Sequence, residues 1–154
     1  ERNEEDSSKE EILQDEIPVP KVEEEPKGIK RNIQREPCSE KELHIKVLDL
    51  LKEIGVPPHI LGYQYLAEAI TLVYKDSNYL RSVTNKLYPE IAEKFGSTPS
   101  KVERTIRHGI ETAFNTGDPE IHEKVFRGIY SPLKGKPTNT HAIAALAEYV
   151  KLYS

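Results

Sequence analysis

The sequence contains no methionine and no tryptophan, and its only cysteine is Cys38. A single thiol excludes an internal disulfide framework and any paired-cysteine metal or redox site. A chain that opens without methionine reads as a processed or partial product, ahead of which another domain would sit. Long apolar runs are also missing. Nothing approaches the roughly 18 consecutive apolar residues of a spanning helix, and the N-terminus lacks the apolar segment of a secretory signal. No membrane partner is expected, and the cytoplasm is the expected compartment. Catalytic signatures are equally scarce. His44, His59, His108, His122 and His141 include no pair spaced four apart and no HExxH, so they read as surface or packing residues rather than metal ligands. No glycine-rich phosphate loop and no GxSxG elbow occurs. Neither an enzyme nor a bound cofactor is expected.

Positive charge is short overall. The net charge of −4, taken as an average, argues against a nucleic-acid partner. The acids are not evenly spread, however: residues 1–26 hold eleven acids against three bases, a net −8, which leaves the remainder at +4. Lys27, Lys30, Arg31 and Arg35 supply four of those positive charges. A nucleic-acid role must therefore rest on where cations stand within the rest of the chain. Residues 1–38 combine the acidic runs with Pro18, Pro20, Pro26 and Pro37, a composition that buries too little apolar surface to offset its ordering entropy. They read as a flexible acidic, proline-rich interdomain linker. The stretch KGIKRNIQR is either part of that linker or a basic arm laid along phosphates.

From Ser39 the spacing turns helical. Ser39 and Glu42 stand in capping-box positions, and Leu43, Val47, Leu50, Leu51 and Ile54 recur along one face. Gly55 ends this helix and Pro57-Pro58 bends the chain. Leu66, Ala69, Ile70 and Val73 then mark the inner face of a helix from Tyr63 to Lys75, on which Tyr63, Tyr65 and Tyr74 read as packing residues. Ser77 is placed to cap a short helix through Lys86, and Pro89 fits the first turn of one that runs to Phe95 and stops at Gly96. Thr98-Pro99 opens a long helix, Ser100 to Phe114, which Asn115 and Gly117 end. Asp118-Pro119 starts another, to about Phe126. A loop at SPLKGKPTNT and an apolar helix from about Thr140 to about Leu152 complete residues 39–154. With no strand pattern and no solenoid repeat, the expected fold is all-α, a compact bundle of about six helices containing a helix-turn-helix.

The segment YPEIAEKFGSTPSKVERTIRHGIETAF carries the functional signal. Ala92 permits two helices to cross closely, Gly96 favours the left-handed turn between them, and Ile91, Phe95, Val102 and Ile106 supply the packed interior. A generic helical hairpin can share this spacing, so the outer face decides. At 100° per residue, Val102, Ile106, Gly109, Ile110 and Ala113 cluster on one side of the second helix. The opposite side presents Ser100, Arg104, Arg107, His108 and Glu111, flanked by Lys101 and Glu103. Cations near the leading end of such a helix lie where DNA bases would be, and an arginine fork matches guanine O6 and N7 while a glutamate accepts from the cytosine amino group. Lys101, Glu103 and Arg104 are the expected base readers. The bland alternative is a solvated face with weak Glu103–Arg107 or Arg107–Glu111 pairs. The competing functional class is a helical protein-interaction module that docks an acidic partner.

The stretches IGVPPHILGYQYLAEAI (54–70), LYPEIAEKF (87–95), SKVERTIRHGIETAF (100–114) and KGKPTNTHAIA (134–144) together resemble the DNA-binding effector domain of stage-zero sporulation protein A, a family of sporulation response regulators. The resemblance runs from about Leu43 to about Tyr149 and implies a six-helix effector joined by a linker to an upstream receiver domain. It further implies homodimers on a short repeated promoter element in double-stranded DNA, activation through the RNA polymerase sigma subunit at some promoters, and repression at others. The groove-reading helix of the family maps onto Ser100 to Phe114, with Glu103, Arg104, Arg107 and His108 matching. Lys101 stands where the family usually has arginine, and lysine keeps the charge but loses the planar fork. Ser100, Arg107, His108, His59, Thr98, Lys134, Lys136, Thr138 and Asn139 are the expected DNA-backbone contacts. The region from Glu111 to Tyr130 resembles the polymerase-contacting part, with HEKVFRG poorly matched.

Overall fold

The computed structural model describes residues 39–129 and 135–153. The expected linker, residues 1–38, and Lys134 lie outside the described residues. Every described element is helical: α1 (Glu40–Ile54), α2 (Leu61–Lys75), α3 (Tyr88–Phe95), α4 (Pro99–Thr116), α5 (Pro119–Val125) and α6 (Asn139–Tyr153). This is the all-α bundle of six helices that the spacing predicts.

The capping box at the start of α1 forms in both directions. Glu42 donates its backbone N–H to the Ser39 hydroxyl at 3.1 Å, and Ser39 donates its own to the Glu42 carboxylate at 3.2 Å. Two otherwise orphaned donors are satisfied. Leu43, Val47, Leu50, Leu51 and Ile54 then face inward, as their spacing requires. The next helix, α2, is the centre of the domain. It begins at Leu61, ahead of the expected Tyr63, and buries Tyr63, Tyr65, Leu66, Ala67, Ala69, Ile70 and Val73. Its apolar residues surround most of its circumference, so it packs against α4, α6 and α1 at once. The last helix contributes Ala142, Ile143, Ala145, Leu146, Ala147 and Val150 to the same core.

Backbone proximity sets how α2 meets α4. A Cβ on Gly62 would stand 2.8 Å from the carbonyl oxygen of Thr105 and 3.3 Å from the Cα of Gly109. On Gly109 it would stand 3.3 Å from Leu66 Cδ1 and 3.5 Å from the Cα of Gly62. The two glycines therefore let the helix backbones touch, and α4 rests directly on α2.

Two local details differ from the sequence expectation. The segment after α2 is not one helix capped by Ser77. It is a 3-10 turn, Ser77–Arg81, capped by Asp76, followed by a single π turn, Val83–Leu87, that runs into α3. The Asp76 carboxylate accepts from Asn78 N–H at 3.0 Å. Asp, Ser, Asn and Thr side chains compete for backbone groups in this stretch, and short turns win over a continuous helix. The end of α4 also differs in cause. Gly117 has an ordinary φ of −83°, so no left-handed cap demands glycine. A Cβ there would lie 2.3 Å from the carbonyl oxygen of Ile54 and 2.7 Å from His122 Nε2. Close approach selects the residue. His122 is buried, with Nε2 2.6 Å from the same Ile54 carbonyl oxygen and its ring centroid 4.3 Å from that of Phe114.

Substitution at the crossing should show this asymmetry. Gly62→Ala forces a methyl against backbone that cannot rotate away, and should cost about 1–3 kcal/mol of unfolding free energy, read from urea midpoints. Gly109→Ala is tight only against the tip of Leu66, with Gly62 backbone at ordinary contact distance, and gains helix propensity of about 1 kcal/mol, so its net change should be near zero. Equal losses at both positions would refute the asymmetric crossing.

Three phenols give the domain an alkaline limit. A hydrogen bond to Glu90 holds the Tyr79 hydroxyl above its usual pKa, with O···O distances of 2.8 and 2.9 Å to the two carboxylate oxygens. Burial does the same for Tyr63 and Tyr88. A pKa raised by folding means that the unfolded chain loses its protons first as pH rises. Stability from these groups is thus complete below about pH 10 and is lost above it. The urea midpoint should fall between about pH 8 and about pH 10.5, and Tyr79→Phe should reduce that fall.

Candidate nucleic-acid interface

Helices α3 and α4 and the sharp three-residue connection between them, Gly96 to Thr98, are built by local chemistry. Pro89 lies in the first turn of α3, where its missing N–H is not needed. Gly96 ends the helix in the left-handed conformation, φ 64°, with its N–H directed at the carbonyls of Ala92 and Glu93. Ser97 N–H closes onto Ala92 O at 2.8 Å. Thr98 then caps α4, its hydroxyl accepting from Lys101 N–H at 3.2 Å, and Pro99 occupies the first turn. The connection therefore carries a stop, a turn and a start in consecutive residues.

The inner face of α4 is the predicted one: Val102, Ile106, Gly109, Ile110 and Ala113 are all buried. Ile91 and Ala92 of α3 are buried against it, and Phe95 is half-buried with its ring centroid 5.1 Å from that of Tyr65. With that side committed to the core, Ser100, Lys101, Arg104, Arg107, His108 and Glu111 are left exposed on the other. The first turn of α4 contains no acid, so the positive end of the helix dipole adds to Lys101 and Arg104. Glu103, half-buried, forms an i, i+4 ion pair with Arg107, while Glu111 pairs with no cation among the described residues. Lys101 and Arg104 have no carboxylate partner among the described residues and face solvent.

Of the remaining expected contacts, Lys136, Thr138 and Asn139 line a cleft with Glu103 and Arg107 of α4. His59 is exposed in the turn before α2, three residues ahead of Gly62. Lys136 and Thr138 are exposed in the segment that leads into α6. Thr138 caps α6 by accepting from His141 N–H at 3.2 Å, as Thr98 does for α4. Each capping hydroxyl retains its own hydrogen, which it can donate to a phosphate oxygen. Asn139 is half-buried and turned inward. Its side-chain amide donates to the Tyr88 hydroxyl at 3.1 Å and to the Glu103 carbonyl at 3.0 Å.

A cleft of about 460 Å³ opens between α4, the Val83–Leu87 turn and the 136–140 segment, lined by Tyr88, Glu103, Arg107, Lys136 and Asn139 among others. Thr84 and Tyr88 belong to this surface, and sequence reasoning did not single them out. The cleft joins three stretches far apart in the chain, and no periodicity within any one of them reveals it.

A basic, solvent-facing second helix on a helix-turn-helix, seated on an all-α bundle, defines a DNA-binding regulator domain. The comparison with known families agrees: the sporulation initiation factor Spo0A C-terminal family matches residues 47–150, and the chain belongs to it. It is thus a DNA-binding effector domain of the sporulation response-regulator type.

The Glu103–Arg107 pair tests whether this face serves stability or recognition. Both side chains are partly exposed, so their pairing contributes little to folding. Glu103→Ala should shift the unfolding free energy by no more than about 0.5 kcal/mol, measured by urea titration. A much larger loss would assign the pair to the scaffold.

Proposed function

We propose that the domain regulates transcription by reading a short promoter element in the major groove, with α4 as the reading helix. Lys101, Glu103 and Arg104 address base edges. Ser100, Thr98, Arg107, His108, His59, Lys136 and Thr138 hold the sugar-phosphate backbone and fix the register. The observation that carries this reading is the division of α4. Its apolar side is consumed by the core, while the exposed cations Lys101 and Arg104, without a carboxylate partner among the described residues, stand at its leading end.

Within this reading the domain binds as a homodimer on repeated half-sites, in the cytoplasm, and an upstream receiver domain controls it. Activation proceeds through contact with the RNA polymerase sigma subunit at some promoters and repression by occupancy at others. Family membership and the placement of α4 support these finer statements.

Selection of preferred duplexes with the full chain, followed by binding across a salt series, tests the proposal. Affinity should fall steeply with salt, because each phosphate contact releases counterions. Arg104→Ala should cost about 1–3 kcal/mol on the selected duplex and should relax preference at one base position. Lys101→Arg should sharpen guanine preference at its position, since the fork replaces a point charge. Binding without sequence preference and without loss in Arg104→Ala would sink the reading and favour an acidic protein partner.

A further inference from the structure

The Asn139 amide is committed inside the fold, between the two helices of the helix-turn-helix. A side-chain amide nitrogen has two hydrogens. At Asn139 one goes to the Tyr88 hydroxyl, 3.1 Å away, and the other to the Glu103 carbonyl oxygen, 3.0 Å away. Tyr88 opens α3 and is largely buried, at 5% exposure, at the floor of the cleft that Glu103, Arg107 and Asn139 also line. Glu103 lies in α4, with its carboxylate already paired to Arg107. Asn139 itself opens α6 and is anchored by the buried Ala142 and Ile143 and by the Thr138 cap.

We propose that Asn139 is a positioning residue: with Tyr88 it forms a hydrogen-bonded latch that fixes the backbone of α4 at Glu103 relative to α3 and α6. The inference rests on the DNA-reading function proposed above and replaces a phosphate contact for Asn139 with an internal one. Glu103 is then held at both ends, its backbone by Asn139 and its side chain by Arg107. Its neighbours Lys101 and Arg104 start from the same fixed point. Base reading depends on donor and acceptor positions to within about half an ångström, whereas phosphate attraction tolerates more displacement because it falls off slowly with distance. Losing the latch therefore erodes discrimination more than overall attraction.

The test uses the full chain and two duplexes, one selected by the wild type and one scrambled to the same composition. Asn139→Ala and Tyr88→Phe should each lower the ratio of affinities for the two duplexes by about fivefold. Affinity for the scrambled duplex should stay within about twofold of wild type. The double variant should show little further loss, because both changes open one latch. Circular dichroism at the assay temperature separates this from unfolding, which would lower both affinities together. Tyr88→Phe keeps the ring in the core and the proposal testable even where Asn139→Ala folds poorly. An unchanged ratio in folded Asn139→Ala would overturn the latch, as would an equal loss on both duplexes, the mark of a phosphate contact. A fall in Asn139→Ala alone, with Tyr88→Phe unaffected, would also overturn it. A wild type with no preference between duplexes would instead remove the DNA-reading function on which the latch rests.

Discussion

The backbone contact between α2 and α4 at Gly62 and Gly109 is the constraint on which the rest of the structure depends. It removes the side-chain layer that normally separates two helices by about 8–10 Å. With no layer to adjust, the height of α4 over the core is set by backbone rather than by rotamers. The apolar stripe of α4 then has one seat, and its opposite face has one direction. The groove-reading role proposed for α4 would draw on that rigidity, since such a surface must hold its geometry before the nucleic acid arrives.

Much of this was legible in the sequence wherever the information was local. The capping box of α1, the left-handed stop at Gly96, the Thr98-Pro99 start and the two faces of α4 each follow from residues within a few positions of one another. The structure shows each of them. Spacing located the buried residues of α1 and α4 because amphipathic helices write their orientation into a 3.6-residue period. It was less informative for α2, whose apolar residues surround the helix and so point in no single direction. The role of Gly62 was hidden for the same reason. Nothing near it in sequence indicates that Thr105 and Gly109 will press against it.

Where local rules competed, the sequence misled. Ser77 is a sound helix cap by type, yet Asp76 takes the cap and the segment divides into two turns before α3. At the end of α4, glycine is present for space and not for φ: Ile54 and His122 approach from α1 and α5. Asn139 shows the same limit at the interface. Its residue type and its place beside a basic loop suit a phosphate contact, but its amide is engaged by Tyr88 and Glu103 from two other elements. Only the tertiary arrangement distinguishes an outward from an inward asparagine.

The charge arithmetic looks different once the pairs are placed. A bulk value of −4 says nothing about a face on which Arg107 is paired with Glu103 while Lys101 and Arg104 have no carboxylate partner among the described residues. That pairing has two opposing consequences for recognition. It weakens the long-range pull of the helix by one cation, and it orders two flexible side chains before binding, lowering the entropy lost on contact. At the leading turn, where no acid intervenes and the helix dipole is positive, attraction is strongest and ordering least. One turn further along, attraction is weaker and ordering greater. In the DNA-reading proposal the same helix separates the two demands of recognition along its length, with capture at Lys101 and Arg104 and a fixed reference at Glu103 and Arg107. Such a gradient requires α4 to keep its height and tilt, which returns the whole arrangement to the contact of its Gly109 with Gly62 of α2.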